Sequence, residues 1–202
     1  MTPTVIWSQD EITVWSFPLK VSSEELREFS SVLTTGEIAQ AQSFRLSEQR
    51  MSAMVRRGVL RNLLADNLSI SPSSIEFSIG EFGKPVVVGH DIHFSASSSG
   101  DLGLVAISKG HEVGVDIQKH DSKLVDLNFD AFSEKELDWV RECENAGEAF
   151  FRVWSRKEAY LKALGVGIGG QLSEFEVLDD FGGVTIRDVA VPMGYSLAIA
   201  WR

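Results

Sequence analysis

Along the chain the spacing of apolar residues switches between alternation and a helical period, which predicts strands interleaved with helices. The opening TVIWSQDEITVWSF reads as one or two strands, and SSEELREFSSVL as a helix with Ser22 and Glu25 spaced as a capping box. A second helix is expected from TTGEIAQA and a third through EQRMSAMVRRGVLRNLLADNL. Ser71 and Pro72 make a cap and first helical position ahead of a short strand, IEFSI. EFGKPVVVG is a turn into a strand, IHFSASSSG a strand closing in small polar residues, and LGLVAISKG a further strand.

The stretch HEVGVDIQKHD, residues 111 to 121, alternates Val113, Val115 and Ile117 with Gly114, Asp116 and Gln118. Its polar face carries a carboxylate and a carboxamide about 7 Å apart by strand rise, where plain solubilising side chains would suffice. An acidic, mixed segment follows, then FSEKELDWV, a helix with a capping box at Ser133 and Glu136. The helix EAFFRVWSRKEAYLKALG ends at Gly165, and FEVLDD, GVTIRDVAV and YSLAIAW are expected to finish the chain as three strands. VRRGVLRNLL and SRKEAYLKAL are both basic, leucine-rich helices ahead of strand pairs. That faint repeat suggests two similar lobes, 1–105 and 106–202, packed tightly because no low-complexity linker separates them.

The 202 residues, 44% of them hydrophobic, describe a globular chain. No apolar run reaches the roughly 18 residues of a membrane span, and MTPTVIWSQDE lacks the order of a signal peptide, so a soluble cytoplasmic protein without a membrane partner is expected. Cys143 is the single cysteine, which excludes an internal disulfide and a cysteine-based zinc cluster and leaves a free thiol on a helix. A net charge of −10 argues against nucleic-acid binding. The charge is uneven, however: Arg45, Arg50, Arg56, Arg57 and Arg61 against the one acid Glu48 make that segment +4. It is either a landing site for an acidic partner or phosphate, or an amphipathic helix whose arginines face water.

Trp154, Glu158 and Lys162 are spaced four apart and share one stripe of the later helix. Alone, Glu158 and Lys162 are an intrahelical ion pair worth a few tenths of a kcal/mol. With Asp116 they would instead make an oxygen-rich site suited to Mg2+. His90 and His93 point to opposite faces of a strand, with no third zinc ligand at suitable spacing. Ser97, Ser98 and Ser99 lack the strand-to-helix elbow of a serine hydrolase.

Three segments in fixed order, GKP at 83–85, GVDIQ at 114–118 and FFRVWSRKEAYLKALGVGI at 150–168, resemble the 4'-phosphopantetheinyl transferases of the Sfp type. The third is the most specific, with W-x-x-KEA, a lysine four residues after the glutamate and a Gly-x-Gly close. The resemblance implies an α+β pseudodimer of two similar lobes with coenzyme A in the cleft between them. It implies an Mg2+-dependent enzyme that moves the phosphopantetheine arm of coenzyme A to a serine of an apo carrier protein, releasing 3',5'-ADP. Because two lobes already build the cleft, a monomer is expected.

By the same resemblance Asp116 and Glu158 match the acidic metal ligands, and Glu158 also the group that takes the serine proton. Lys162 matches the lysine beside the transferred phosphate, and Lys157 of the KEA run joins the coenzyme A contacts. Lys84 matches the lysine of the GKP turn, Arg57 the basic helix position, and Arg45 a phosphate contact. Two positions depart from the usual pattern. FSASSS at 94–99 stands where F-N-x-S-H-S is usual, so Ser97 is kept while Ser98 replaces a histidine. Gln118 stands where a glutamate is usual, a neutral candidate metal ligand. These departures motivate a second reading, a pseudoenzyme that binds coenzyme A or a carrier protein without transfer.

Overall fold

The computed structural model describes residues 2–80, 82–121, 129–167 and 172–202. Most of the acidic segment after HEVGVDIQKHD, together with Glu81 and Ile168, lies outside the described residues. The chain is a mixed α+β fold. Strands β1 (Thr4–Gln9) and β2 (Ile12–Pro18) form a hairpin. Its two-residue turn, Asp10–Glu11, holds both residues at positive φ (49° and 62°), the geometry that matches the twist of the strands.

Helices α1 (Ser23–Ser31) and α2 (Thr35–Gln42) follow, each opened by a capping box, Ser22 with Glu25 and Thr34 with Glu37. The long α3 (Ser47–Leu68) stops where Ser69 turns left-handed. A short pair, β3 (Phe77–Ile79) and β4 (Pro85–Val87), precedes β5 (His93–Ser99) and β6 (Leu102–Ser108). One antiparallel sheet has the order β1-β2-β6-β5. The boundary expected between residues 105 and 106 therefore cuts a continuous strand, since β6 pairs with β2 and β5 along its whole length.

The second half holds β7 (Val113–Lys119), α4 (Glu134–Glu142), α5 (Ala146–Leu164), β8 (Thr185–Asp188) and β9 (Tyr195–Trp201). Its three-stranded sheet has the order β7-β9-β8. FEVLDD, expected as a strand, joins neither sheet. Phe175 instead stacks on Tyr160 at 4.8 Å and its carbonyl accepts a lysine, so the segment is fastened by side chains rather than by a ladder. Cys143 lies just past α4 as its C-terminal cap.

Among the described residues, three apolar clusters hold the fold together. One buries α3 against β5 and β6, with Val55, Val59, Leu64 and Phe94 inside, and one buries α5 against β8 and β9. The third joins the two sheets face to face: Ile12, Val14, Leu104 and Ala106 meet Val113, Val115, Ile117 and Ile199. Alternation along β7 thus sends its valines and isoleucine to that joint and leaves Gly114, Asp116 and Gln118 facing α5.

Candidate active site

Helix α5 lies directly on β7 because Gly114 has no side chain there. A Cβ at that position would collide with the Ala159 carbonyl and the Ala163 amide. This close approach lets the Glu158 and Lys162 stripe meet Asp116. The Lys162 ammonium lies 2.6 Å from Asp116 Oδ1 and 3.2 Å from the Val115 carbonyl oxygen. The Ser97 hydroxyl donates to the same Asp116 oxygen at 2.7 Å, while the Gln118 carboxamide N–H donates to Oδ2 at 2.8 Å.

Asp116 and Glu158 are both buried, at 2% and 7% exposure. Burial, and then repulsion from Asp116, pushes the Glu158 carboxyl up, with Lys162 only partly offsetting it. Two buried acids that repel each other around one ammonium are short of positive charge. Among the described residues no three His, Cys, Asp or Glu side chains converge. A set of two acids and one amide oxygen fits Mg2+, which takes one or two carboxylates and fills the rest of its shell with water and phosphate oxygens.

Three amides and two carbonyls along the outward edge of β7 are engaged. Ser95, Ser97 and Ser99 on β5 accept the N–H groups of Val115, Ile117 and Lys119 at 3.0, 3.4 and 2.9 Å. The Val113 carbonyl accepts from Lys84 at 2.9 Å, beside the Val115 carbonyl that accepts from Lys162. Lys84 also donates to the Lys162 carbonyl at 2.6 Å, at the end of α5 that Gly165 closes with φ 74°. Burial pushes the Lys84 ammonium down from its ordinary value.

Two adjoining recesses of about 360 and 390 Å3 open beside this cluster and share Arg57, Leu60, Pro85 and Ala96 in their walls. Lys84 and Lys162 line one, Ser97 and Arg56 the other. Asp116 and Glu158 are not in either wall. They reach the cleft through Lys162 and Ser97.

The family model described as the 4'-phosphopantetheinyl transferase superfamily matches residues 112–196, the span that contains β7, α5 and β8 and reaches the start of β9. The chain is 31% identical over 183 residues to the 4'-phosphopantetheinyl transferase HetI of a Nostoc species, a match covering 87% of this chain and 77% of that relative. The chain belongs to the 4'-phosphopantetheinyl transferase superfamily. It is also 24% identical to 4'-phosphopantetheinyl transferase Sfp of Bacillus subtilis, across 89% of this chain and 86% of that one. A human L-aminoadipate-semialdehyde dehydrogenase-phosphopantetheinyl transferase is 28% identical, over 66% of this chain and 48% of its own.

Within this phosphopantetheinyl transferase fold the residues singled out from the sequence separate into two groups. Asp116, Gln118, Lys162 and Ser97 form the bonded cluster, Glu158 lies close enough to repel Asp116 and attract Lys162, and Lys84 and Arg57 line the cleft next to it. Ser98 faces away from Ser97 and accepts from Arg56 at 3.1 Å. Arg45 is exposed and lines neither recess.

Lys157 does not reach the cleft, which corrects its assignment to coenzyme A. It is one residue from Glu158 and so a quarter-turn away, 1% exposed, with its ammonium 2.8 Å from the fully buried Glu136. The Leu172 and Phe175 carbonyls also accept from it, each at 2.7 Å. Arg61 is likewise structural, 2% exposed and donating to Glu37, the Pro72 carbonyl and the Ile75 carbonyl. No pattern in the sequence marks Glu136 as a buried anion, because its capping-box spacing already accounts for it. The serine ladder is a further functional feature beyond the motif: alternation along FSASSS puts three hydroxyls on one face, the only signal of it in the sequence.

Proposed function

We propose that the protein transfers the 4'-phosphopantetheine arm of coenzyme A to a serine of an apo carrier protein, with release of 3',5'-ADP and in the presence of Mg2+. The observation that carries this reading is the Asp116–Lys162–Glu158 cluster opening onto a cleft whose walls hold Lys84, Arg56 and Arg57. Asp116, Glu158 and the amide oxygen of Gln118 would hold the metal. When bound, Mg2+ neutralises charge on the pyrophosphate oxygens.

In the proposed reaction the carrier serine oxygen bonds to the phosphorus bearing the pantetheine arm. The bond from that phosphorus to the oxygen of 3',5'-ADP breaks, and the serine proton passes to Glu158. Lys162 sets a fixed ammonium beside the transferring phosphoryl group, where developing charge is stabilised without solvent reorganisation. Ser97 and Lys162 orient Asp116, and Lys84 supports the end of α5 while lining the cleft for coenzyme A.

The proposal includes two similar lobes, 1–105 and 106–202, a monomeric protein, and a cytoplasmic site of action. Among the described residues no helix is long and apolar enough to cross a membrane. Incubation with coenzyme A, Mg2+ and apo carrier proteins of the fatty-acid, polyketide and peptide-synthetase kinds, read by intact mass, tests the activity. The expected result is a gain of one phosphopantetheine group on at least one carrier, and no gain on any of them removes the reading.

A further inference from the structure

Lys84 reaches from one half of the chain into the other. It directly precedes β4, in a strand pair that belongs to neither of the larger sheets. Its backbone is fixed there: the Lys84 carbonyl accepts from the Gly80 N–H at 2.8 Å, Gly83 before it takes the left-handed region with φ 88°, and Pro85 after it favours an extended conformation. From this start the stem runs past the end of α5, where a Cβ added at Gly165 would lie 3.5 Å from Lys84 Cδ.

The ammonium ends between two backbone carbonyls, those of Val113 on β7 and Lys162 on α5. Both flank Gly114, whose missing side chain lets helix and strand touch; a Cβ there would lie 2.9 Å from the Lys162 carbonyl carbon. Two carbonyl oxygens drawn to one point repel, and each is costly to bury without a donor. Lys84 donates to both with one positive charge, at the end of a helix where carbonyls lack intrahelical partners and cations are favoured.

The consequence falls on Lys162. Its carbonyl accepts from Lys84 and from the Gly165 N–H at 3.3 Å, while its own ammonium is held by the Val115 carbonyl and Asp116. Lys84 therefore fixes the helical turn where the Lys162 side chain starts and, through Val113, the strand on which it ends. A lysine stem is flexible, so its ammonium is aimed only while both ends are held.

We propose that Lys84 is a positioning residue for the transfer step: its ammonium braces α5 on β7 and so keeps the Lys162 ammonium beside the reacting phosphate, serving the backbone rather than a phosphate of coenzyme A. The inference rests on the reading of Lys162 as the cation of phosphoryl transfer.

Calorimetric titration with coenzyme A and turnover of carrier modification, measured on the wild-type protein, Lys84→Met, Lys84→Gln, Lys162→Ala and the double variant Lys84→Met/Lys162→Ala, test it. Lys84→Met keeps the stem and removes the donors. It is expected to lower turnover by about tenfold to 100-fold, the effect of losing a group that orients its neighbour, while coenzyme A affinity stays within about threefold. In the Lys162→Ala background the same change is expected to cost less than about threefold, since no ammonium is left to aim. Lys84→Gln keeps two N–H donors on a shorter, uncharged chain and carries the test if Lys84→Met does not fold, with a loss of about threefold or more in turnover at unchanged affinity. Coenzyme A affinity that falls as far as turnover makes Lys84 a ligand contact and overturns the inference. An equal loss of turnover with and without Lys162, or turnover within about twofold of wild type in the folded variants, overturns it too. A wild-type protein that modifies no carrier overturns the reading of Lys162 and of the cleft instead.

Discussion

The Lys162 ammonium sits 2.6 Å from Asp116 and one helical turn from Glu158, so a single cation serves two buried acids. Removing it leaves both carboxylates facing each other with no counter-charge. Lys162→Ala is expected to lower the turnover of carrier modification by about 100- to 1000-fold, the cost of losing one fixed donor at a developing charge. Coenzyme A affinity, measured by calorimetry, should change by much less, and an equal loss in both would make Lys162 a binding residue only.

Gln118 turns its N–H toward Asp116, so a glutamate there would add a third acid where a donor now stands. Gln118→Glu is expected to melt at a lower temperature than wild type without Mg2+ and to gain more from adding it. The Mg2+ concentration needed for half-maximal transfer should fall on the order of tenfold, a typical effect of a change beside a metal ligand. Unchanged Mg2+ dependence in both melting and transfer would remove Gln118 from the metal site.

Gly114→Ala tests whether the contact of α5 with β7 aligns the cluster. The new Cβ meets backbone on two sides, at Ala159 and Ala163, so no rotamer change relieves it. Overpacking of this kind costs about 3 kcal/mol or more, visible as a lower denaturant midpoint. Transfer should be lost even under conditions where the variant stays folded, because Lys162 moves off Asp116.

Glu37 supplies a pH dependence with a definite sign. Burial by itself would raise its carboxyl, but hydrogen bonds from Arg61, the Thr34 N–H and Arg57 outweigh burial and hold it at about 2. Its folded value is depressed, so the stability it contributes is present above the unfolded value of about 4.5 and is lost as pH falls toward about 2. Across that window the wild-type protein should lose roughly 3 kcal/mol relative to Glu37→Gln. Parallel urea titrations of the two proteins measure it, and a constant difference between them would exclude the carboxylate as the cause.

Much of this architecture was legible in the sequence because its signals are local. Capping pairs such as Ser22 with Glu25 and Ser133 with Glu136 start helices through contacts three residues apart, and the alternation of β7 fixes which side chains share a face. Asp116, Glu158 and Lys162 were legible as a set only through the motif, since a strand and a helix some forty residues apart have no spacing rule to join them.

What sequence reasoning could not supply was direction around a helix that is buried on several sides. Lys157 and Glu158 are neighbours in a run of alternating chemistry, yet one faces Asp116 and the other a buried anion on α4. FEVLDD had the apolar content of a strand, but its residues pack against Tyr160 and Lys157, and tertiary contact overrode the local preference.

The fastening of β7 bears on how the protein behaves at high concentration. As the outer strand of its sheet it would ordinarily offer a row of open amides and carbonyls to any extended chain, the usual start of strand-by-strand aggregation. Here the serine hydroxyls of β5 occupy three of its amides and two lysines two of its carbonyls, so the edge that carries Asp116 is shielded from a neighbour by side chains of another sheet rather than by a backbone ladder.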